Sequence, residues 1–475
     1  MRVLIVGAGA AGASAALRAR ELGAEVTLLE AEEVGGVSLN RGPAPVRTLA
    51  RAARLARDWS SWEQFGLEGP RPTPNLRTAL ANGERVSRYA RDRKHMADHL
   101  RAHGIDLVEH TGPVEFADPH TVRARDGRTW PGDRVILAVG GRASGLPVPG
   151  ADLALTYEDL LSLKTLPTSA AVIGGADTGC QIASILADFG VRVVIIEAGP
   201  ALLAHADPEV SAGMKKAFRD RGMVVHTGAL AQSLESDGGW TTINYRTLDD
   251  TNTTSEDTVS VDVVFAAIGW PANIEALGLE RAGVAVGPRG VAVDEYLRTN
   301  VEHIFAAGDV NGHLKLVQTA RAEGRAAAEN AVSGPVRRVA HDTVPSGSFT
   351  DPEYGQVGLT EPEAAARCDA FGVVANYEDL LRPVTDGRPD GFCKLVVDRE
   401  SHKVLGAHVL GEYSAEIVQV AATAMAAGMT VEEIAGLSYA FPTFTEAVGM
   451  AAQKACRELG LGAFPAVWSE LASTS

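Results

Sequence analysis

Two stretches of the chain pair a glycine-rich turn with an acidic residue, an arrangement that can bind a dinucleotide. In the first, VLIVGAGAAG, the spacing GxGxxG falls between a predicted buried strand and a predicted helix. Gly7 permits a tight turn, Gly9 lets the backbone approach a pyrophosphate, and Gly12 lets helix and strand pack closely. The free N–H groups that open the helix attract phosphate. Glu30 ends the next strand, where its carboxylate can accept hydrogen bonds from ribose hydroxyls.

The second stretch, AAVIGGADTGCQIASILADFGVRVVIIE, repeats this pattern and predicts a second nucleotide site. Gly174 and Gly179 hold the outer glycine positions, while Ala176 replaces the middle one, so a pyrophosphate must accommodate one methyl group. Glu197 would accept a hydrogen bond from an adenosine 2′-hydroxyl and would repel a 2′-phosphate. No arginine lies between Glu197 and His205, which favours NADH over NADPH. The alternative is a degenerate unit that binds no dinucleotide.

Length and charge narrow the class of protein. A chain of 475 residues predicts two to four domains, because one domain usually takes about 100 to 200 residues. The net charge of −16 argues against a nucleic-acid partner, since phosphate binding needs clustered cations. No apolar run approaches the roughly 20 residues of a membrane span. We interpret the apolar N-terminus as a buried strand and expect a cytoplasmic protein.

The cysteine and histidine patterns contain no metal motif, and we predict no metal site. The four cysteines are scattered without CxxC spacing, and we interpret them as small buried residues. The chain after the first nucleotide unit predicts a long helix from Val46, a proline-containing loop, and a second helix over Glu84–His103. His95, His99 and His103 would share one face of that helix, which we interpret as solvated.

Four segments resemble motifs of the flavoprotein disulfide reductases, the family of glutathione reductase, dihydrolipoamide dehydrogenase and mercuric reductase. The segment GGVSLNRGPAPVRT, residues 35–48, is similar to the family's GGTCLNVGCIPSKT, whose two cysteines form the redox disulfide beside the flavin. Ser38 and Pro43 occupy the cysteine positions here. VILAVGG and TNVEHIFAAGDV also match the family. FPTFTE, which begins at Phe441, stands where the family has His-Pro-Thr-x-x-Glu.

The resemblance covers residues 1 to about 463 and implies an α/β fold with two Rossmann-like dinucleotide-binding domains and a C-terminal α+β dimerisation domain. The FAD-binding domain would comprise residues 1–149 and 270–335, the NAD(P)-binding domain residues 150–269, and the interface domain residues 345–475. The protein would be a homodimer, with the segment from Phe441 to Glu446 entering the partner's active site.

The same resemblance, together with the glycine patterns, predicts the cofactor-binding residues. Those expected at FAD are Gly7, Gly9, Ala10, Ala11, Gly12, Glu30, Gly36, Ser38, Arg47, Gly112, Gly140, Asp309 and Val317. Those expected at the nicotinamide dinucleotide are Gly174, Ala176, Thr178, Gly179, Glu197 and Gly269. Asp309 would accept hydrogen bonds from the flavin's ribityl hydroxyls and stay ionised at neutral pH.

Three replacements suggest a change of chemistry within the resembled family. A thiol acid–base catalyst has no purpose without thiols, so Ser38, Pro43 and Phe441 form a coherent set. We expect FAD-dependent transfer of electrons from NADH directly to a small organic acceptor, a quinone above all, with no side-chain nucleophile. Phe441 would make the acceptor side apolar.

Arg47 and Gln181 hold the positions of the family's lysine–glutamate pair. If Arg47 reaches the flavin, its charge would stabilise the anionic reduced ring; alternatively it is solvated on the helix surface. Gln181 would hydrogen-bond the nicotinamide or the flavin edge, and Glu446 would orient the acceptor or Arg47. Two other functions stay open: oxidation of an organic biosynthetic substrate with NAD⁺ or O₂ as acceptor, and a nucleotide-binding sensor or assembly protein without turnover.

Overall fold

The first part of the chain is built around a parallel sheet. The computed structural model describes residues 1–248 and 254–461. The elements up to residue 137 are β1 (Arg2–Val6), α1 (Ala10–Glu21), β2 (Glu25–Leu29), α2 (Gly36–Asn40), α3 (Pro43–Arg57), α4 (Leu76–Lys94), α5 (Met96–Ala102), β3 (Asp106–Val108), β4 (Val114–Asp118), β5 (Thr121–Ala124), β6 (Thr129–Pro131) and β7 (Arg134–Leu137). β4, β5 and β6 form a separate antiparallel sheet. Four of the five residues of β1 are buried, as expected for a central strand of a parallel sheet.

The second part repeats this architecture. Its elements are β8 (Ala154–Leu155), β9 (Ser169–Ile173), α6 (Asp177–Asp188), β10 (Arg192–Glu197), α7 (Pro208–Asp220), β11 (Val224–Thr227), β12 (Ala229–Asp237), β13 (Trp240–Leu248), β14 (Thr254–Val261) and β15 (Val263–Ala266). The parallel sheet has the order β11-β10-β9-β15-β8, and β12, β13 and β14 form an antiparallel sheet beside it. β9, α6 and β10 reproduce β1, α1 and β2, so the sequence repeat is also a structural repeat.

The chain then returns to the first sheet. The returning elements are β16 (Val286–Gly287), β17 (Gly290–Val291), β18 (Ile304–Ala306) and α8 (Val317–Ser333). β18 pairs with β7 and completes the order β18-β7-β1-β2-β3. α8 packs closely on α1, because a Cβ at Gly324 would lie 2.1 Å from the carbonyl oxygen of Ala11. Because β1, β7 and β18 run parallel, the loops after β1 and β18 open at the same edge of the sheet.

The C-terminal part is an antiparallel sheet covered by helices. Its elements are β19 (Ser346–Ser348), β20 (Tyr354–Gly358), α9 (Glu361–Ala365), β21 (Ala370–Asn376), α10 (Leu381–Thr385), β22 (Phe392–Asp398), β23 (Val404–Leu410), α11 (Ser414–Ala426), α12 (Val431–Ala435) and α13 (Glu446–Glu458). The strand order is β19-β20-β23-β22-β21. α11 and α13 share one apolar core with this sheet. The predicted α/β class, with two nucleotide-type sheets and a C-terminal α+β unit, is confirmed.

The predicted second helix was wrong at its start and across its length. α4 begins at Leu76, because the Asn75 side chain accepts a hydrogen bond from the Thr78 N–H at 3.1 Å and caps the helix. His95 has a left-handed backbone (φ 43°) that separates α4 from α5, so the three histidines do not lie on one continuous helix, although the ring centres of His99 and His103 are 4.2 Å apart. All three are exposed. Within residues 1–248 and 254–461, no helix is both long and apolar enough to cross a membrane.

Charged side chains from all three parts of the chain meet in one cluster. Arg57 of α3 contacts Asp351, which precedes β20. Arg221, just after α7, contacts Asp188 at the end of α6 and lies 3.5 Å from Asp351. Asp188 and Asp351 are only 3% and 8% exposed, so these carboxylates depend on the arginines for compensation.

Glu353, which lies beside this cluster, is expected to make the folded protein less stable as the pH rises. Its carboxylate is 3.1 Å from Arg54, yet burial raises its pKa to about 7 against the opposing effect of Arg54. Because the folded pKa exceeds that of an exposed glutamate, the folded state holds a proton that the unfolded state releases. Stability is therefore greatest below about pH 4.5 for this group and is lost as the pH rises through about 7.

The measurement is the melting temperature of wild type and Glu353→Gln between pH 5 and pH 8. The variant should lose a pH-dependent term on the order of 3 kcal/mol and show a shallower decline. Glu458→Gln, at a side chain that is 56% exposed, serves as the control and should follow wild type. Parallel curves for wild type and Glu353→Gln would contradict the assignment.

Candidate functional site

A single cavity of about 1520 Å³ runs along the junction of the three parts. The carboxyl ends of both parallel sheets open into it, and β19 together with Phe349 closes part of its wall. Residues from every part line it, among them Gly9, Glu30, Gln181, Glu197, Asp309 and Phe349. The topology explains this convergence, because loops at the carboxyl ends of parallel strands form the crevice in open α/β sheets.

The first glycine loop shows which glycines serve packing and which leave space. A Cβ at Gly7 would lie 2.4 Å from the carbonyl oxygen of Ala138, and a Cβ at Gly12 would lie 1.7 Å from that of Gly7. A Cβ at Gly9 would meet only the Cα of Gly36, at 3.7 Å, and Gly9 lines the cavity. The protein itself therefore leaves room at Gly9, where a phosphate group would lie at the start of α1.

Glu30 is fixed by the backbone at the inner end of this loop. Its carboxylate accepts hydrogen bonds from the N–H groups of Ala8 at 2.8 Å and Glu32 at 2.9 Å. Burial raises the pKa of Glu30, while these two donors favour the ionised form. Each carboxylate oxygen can accept a second donor, so Glu30 can still receive ribose hydroxyls from the cavity.

Asp309 follows β18 and faces the same cavity, where the indole of Trp270 holds it. The Trp270 Nε1–H donates to the Asp309 carboxylate at 3.0 Å, and the ammonium of Lys315 donates to the Trp270 carbonyl at 2.6 Å. Burial raises the pKa of Asp309, opposed by the hydrogen bond from Trp270. Sequence reasoning did not single out Trp270 or Lys315, because neither belongs to a motif with a stated chemical task.

Most of the other residues predicted at FAD line the cavity, whereas Gly12 and Arg47 do not. Gly112 and Gly140 have positive φ angles of 63° and 69° and open onto the cavity, and Val317 is the first residue of α8. The cavity-lining residues of the FAD set are Gly7, Gly9, Ala10, Ala11, Glu30, Gly36, Ser38, Gly112, Gly140, Asp309 and Val317. Gly12 is not among them and acts through helix–strand packing.

The second glycine loop repeats the first almost residue for residue. A Cβ at Gly179 would lie 1.9 Å from the carbonyl oxygen of Gly174. Glu197 accepts hydrogen bonds from the N–H groups of Gly175 and Gly199, as Glu30 does from Ala8 and Glu32. The cavity-lining residues of the predicted nicotinamide set are Gly174, Ala176, Thr178, Glu197 and Gly269; Gly179 acts through packing.

Three polar residues that sequence reasoning missed meet beside this loop. Asp177 is the first residue of α6, and its carboxylate accepts a hydrogen bond from the Tyr354 hydroxyl. The His205 Nε2 lies 3.3 Å from both the Asp177 carboxylate and the Tyr354 hydroxyl. A carboxylate here would compete with a pyrophosphate for the positive end of the helix. Asp177 stands next to Ala176 in the sequence, but its partners are far along the chain and carry no signal.

No thiol faces the cavity among the residues that the structure describes. Ser38 lies in α2, where its hydroxyl donates to the Gly35 carbonyl at 3.3 Å, and Pro43 is the first residue of α3. Both line the cavity. Cys180, Cys393 and Cys456 are buried, as expected, whereas Cys368 is exposed and corrects the expectation that all four are buried; all four are free thiols. Burial raises the pKa of Cys180, which keeps that sulfur protonated and unreactive.

The four predicted catalytic residues occupy different environments. Gln181 lines the cavity. Arg47 does not: it is exposed, and its guanidinium stacks 3.7 Å above the ring centre of Phe349, which does line the cavity. The expected contact between Arg47 and the cofactor therefore needs correction, because α3 directs this side chain toward the C-terminal part.

Phe441 and Glu446 lie outside the cavity of their own chain. Phe441 is 72% exposed, the most exposed large apolar side chain in the described residues. The Glu446 carboxylate accepts the Thr443 N–H at 2.9 Å at the start of α13. Within one chain Glu446 therefore stabilises a helix start and does not orient an acceptor or Arg47.

The chain matches family models along most of its length. The model described as pyridine nucleotide-disulphide oxidoreductase matches residues 1–324, and that for the family's dimerisation domain matches residues 344–452. The chain is 31% identical to a dihydrolipoyl dehydrogenase of Geobacillus stearothermophilus, over 95% of each protein. It is 29% identical to a mercuric reductase of Lysinibacillus sphaericus, over 95% of this chain and 82% of that protein.

Solved structures share the fold. LpdA from Mycobacterium tuberculosis superposes with a TM-score of 0.84 at 24% identity, covering 96% of this chain and 99% of LpdA. The HOCl-induced flavoprotein disulfide reductase RclA from Escherichia coli gives a TM-score of 0.82 at 24% identity, over 95% of this chain and 99% of RclA. The resemblance drawn from the sequence motifs is confirmed: the chain belongs to the pyridine nucleotide-disulphide oxidoreductase family.

Proposed function

We propose that the protein is a homodimeric, FAD-dependent oxidoreductase that transfers electrons from NADH to a small apolar acceptor, a quinone in the first instance, without a redox disulfide. The observation that carries this proposal is the pair Ser38 and Pro43 on the cavity wall, at the positions where the family's motif has its cysteines. When bound, FAD supplies the electron transfer between donor and acceptor. The chain's own residues bind and orient the reactants.

The first glycine loop and Asp309 would hold FAD. Gly9 leaves space for the pyrophosphate, Glu30 accepts from the adenosine ribose, and Asp309 accepts from the ribityl chain. The open space at Gly9 and the carboxylate of Glu30, which two backbone N–H groups hold in place, fit FAD without rearrangement. We propose residues 1–149 with 270–335 as the FAD-binding domain and residues 150–269 as the NAD(P)-binding domain.

The second loop would hold NADH. Glu197 accepts from two backbone N–H groups at positions equivalent to those that donate to Glu30, so its carboxylate is positioned for a 2′-hydroxyl and repels a 2′-phosphate. Asp177 and the methyl group of Ala176 both work against a tightly held pyrophosphate. We therefore expect NADH to bind weakly enough that its Kd can be measured by direct titration.

The acceptor would occupy the side of the cavity between α3 and the segment that carries Phe349. The side chains of Ser38, Pro43 and Phe349 on this wall are themselves uncharged, which suits a flat, uncharged molecule, and the guanidinium of Arg47 lies over the Phe349 ring. We propose that Phe441, exposed in the single chain, completes the apolar wall of the partner subunit's cavity. The dimerisation domain at residues 344–452 supports this arrangement.

The test is a two-step anaerobic experiment with purified protein. NADH should first reduce the bound FAD, seen as loss of the oxidised-flavin absorbance. The reduced protein is then mixed rapidly with a benzoquinone, a nitroaromatic compound, a ferric chelate or O₂, and reoxidation should be fastest with the quinone. Protein that lacks flavin and cannot be reconstituted, or flavin that NADH leaves oxidised, would refute the proposal. Fastest reoxidation by another acceptor would refute its quinone part.

Glu197→Ala is expected to relax the choice between NADH and NADPH. Removing the carboxylate removes its repulsion of a 2′-phosphate, so the ratio of kcat/KM for NADH to that for NADPH should fall about tenfold, or 1.4 kcal/mol. Asp220→Ala, at an exposed residue of α7, should leave the ratio unchanged. A wild-type preference for NADPH of more than about tenfold would reverse the interpretation of Glu197.

A further inference from the structure

We propose that His313, Glu323 and His341 form a binding site for a divalent transition-metal ion that adjoins the cavity, which His313 lines, and that takes no part in the electron transfer. The three residues come from different segments: His313 from the loop after β18, Glu323 from α8, and His341 from the segment between α8 and β19. One possible ligand atom from each lies within 4.8 Å of the other two. The spacing of these residues carries no metal motif, which explains why sequence analysis predicted none.

Glu323 is fixed so that one oxygen faces both histidines. It is 0% exposed. Its Oε2 accepts hydrogen bonds from the Gly308 N–H at 2.7 Å and the Asn311 side-chain amide at 2.8 Å. Its Oε1 lies 2.8 Å from the His341 Nε2 and 3.7 Å from the His313 Nδ1. Donors that hold a carboxylate from behind are typical of protein metal sites.

His313 provides the observation that points to a missing ligand. Its Nδ1 is buried and has no hydrogen-bond partner among the described residues. At 3.7 Å, the Glu323 Oε1 is too far for a hydrogen bond. Buried polar atoms are nearly always paired, and a bound cation would pair this nitrogen.

The donor set indicates the class of ion. Two imidazole nitrogens and one carboxylate oxygen suit Zn²⁺, Fe²⁺, Co²⁺ or Ni²⁺ better than Mg²⁺ or Ca²⁺, which prefer oxygen. Bonds of about 2.0 to 2.2 Å require the two histidines to move slightly closer to each other. Their side chains are 28% and 29% exposed, so rotation toward the ion is sterically open.

A simpler alternative is an ion pair in which His341 only neutralises the buried carboxylate. His402 and Glu432 form such a pair elsewhere in the described chain: the His402 Nδ1 contacts the Glu432 carboxylate, and no second histidine is grouped with them. The side chains of His341 and His402 are equally buried, since each is 29% exposed. His402→Asn is therefore the matched control, since it removes a histidine–carboxylate pair but not a cluster.

The test uses the full-length, FAD-loaded protein after treatment with a chelator. Zn²⁺ alone is titrated calorimetrically, and bound zinc is counted by elemental analysis after gel filtration. We expect one Zn²⁺ per chain and a higher melting temperature. His313→Asn and Glu323→Gln should each weaken binding by about tenfold or more, equivalent to 1.4 kcal/mol, while His402→Asn should bind as wild type does.

The FAD content of each variant is measured in parallel. If Glu323→Gln does not fold, because three groups hydrogen-bond this buried carboxylate, His341→Asn takes its place. Binding that is equally tight in His313→Asn and His341→Asn would overturn the site. Failure of wild type to bind stoichiometric Zn²⁺, or equal binding of Mg²⁺, would overturn it as well.

Discussion

Gly12→Ala is expected to yield protein with less than about a tenth of the wild-type FAD content, a loss of at least about 1.4 kcal/mol in binding. The added Cβ would lie 1.7 Å from the Gly7 carbonyl oxygen, so either α1 or the loop before it must move. That movement displaces the N–H groups at the start of α1 that would hold the pyrophosphate. The measurement is the ratio of released FAD to protein after gel filtration.

Two further glycine variants control this experiment. Gly145→Ala should keep full FAD content, because a Cβ at Gly145 meets nothing within 4 Å. Gly179→Ala should keep FAD but lose rapid reduction by NADH, since its Cβ would lie 1.9 Å from the Gly174 carbonyl oxygen in the second loop. Full FAD content in Gly12→Ala would show that the first loop does not hold the flavin nucleotide.

Disulfide substrates are expected to be reduced at least about a thousandfold more slowly than a quinone, a difference of about 4 kcal/mol in activation free energy. The cavity wall presents Ser38 and Pro43, and no cysteine lines it in the described parts of the chain. Without a thiolate beside the flavin site, no mixed disulfide can form. The measurement is steady-state NADH oxidation with glutathione disulfide, lipoamide or oxidised thioredoxin against a benzoquinone.

Phe441→His provides the companion experiment. Restoring only the family's histidine should create no disulfide reductase activity, because no thiol of the described residues is present at the cavity for this acid–base group to protonate or deprotonate. A variant that displaces the Phe441 ring from the partner subunit's cavity, while the protein stays dimeric, should instead lower the rate of quinone reduction. Appreciable turnover of any of the three disulfides by wild type would contradict the assignment of Ser38 and Pro43.

Local patterns predicted the nucleotide loops well because their physics is local. The tight turn at Gly7, the close packing at Gly12 and the acid at the end of the next strand all lie within one βαβ unit. The second unit repeats the same hydrogen bonds around Glu197. Each of these features depends on neighbours that are near in sequence.

Contacts between distant segments could not be predicted. Tyr354 of the C-terminal part donates a hydrogen bond to Asp177 of the second part. Trp270 donates a hydrogen bond to Asp309, which lies on the segment that returns to the first sheet. Arg47 illustrates a different limit, because its helix was predicted but the direction of its side chain depends on Phe349 in the C-terminal part. The three ligands of the proposed metal site belong to three different segments of the chain and come together only in the folded protein.

The charged cluster of Arg57, Asp188, Arg221 and Asp351 limits how the molecule can move. It joins the three parts of the chain through ion pairs, and none of its four residues lines the cavity. Moving one of these parts away from the others would leave a buried charge without its partner, at a cost of about 3 to 5 kcal/mol. We therefore expect turnover to proceed without a hinge motion that separates these three parts of the chain.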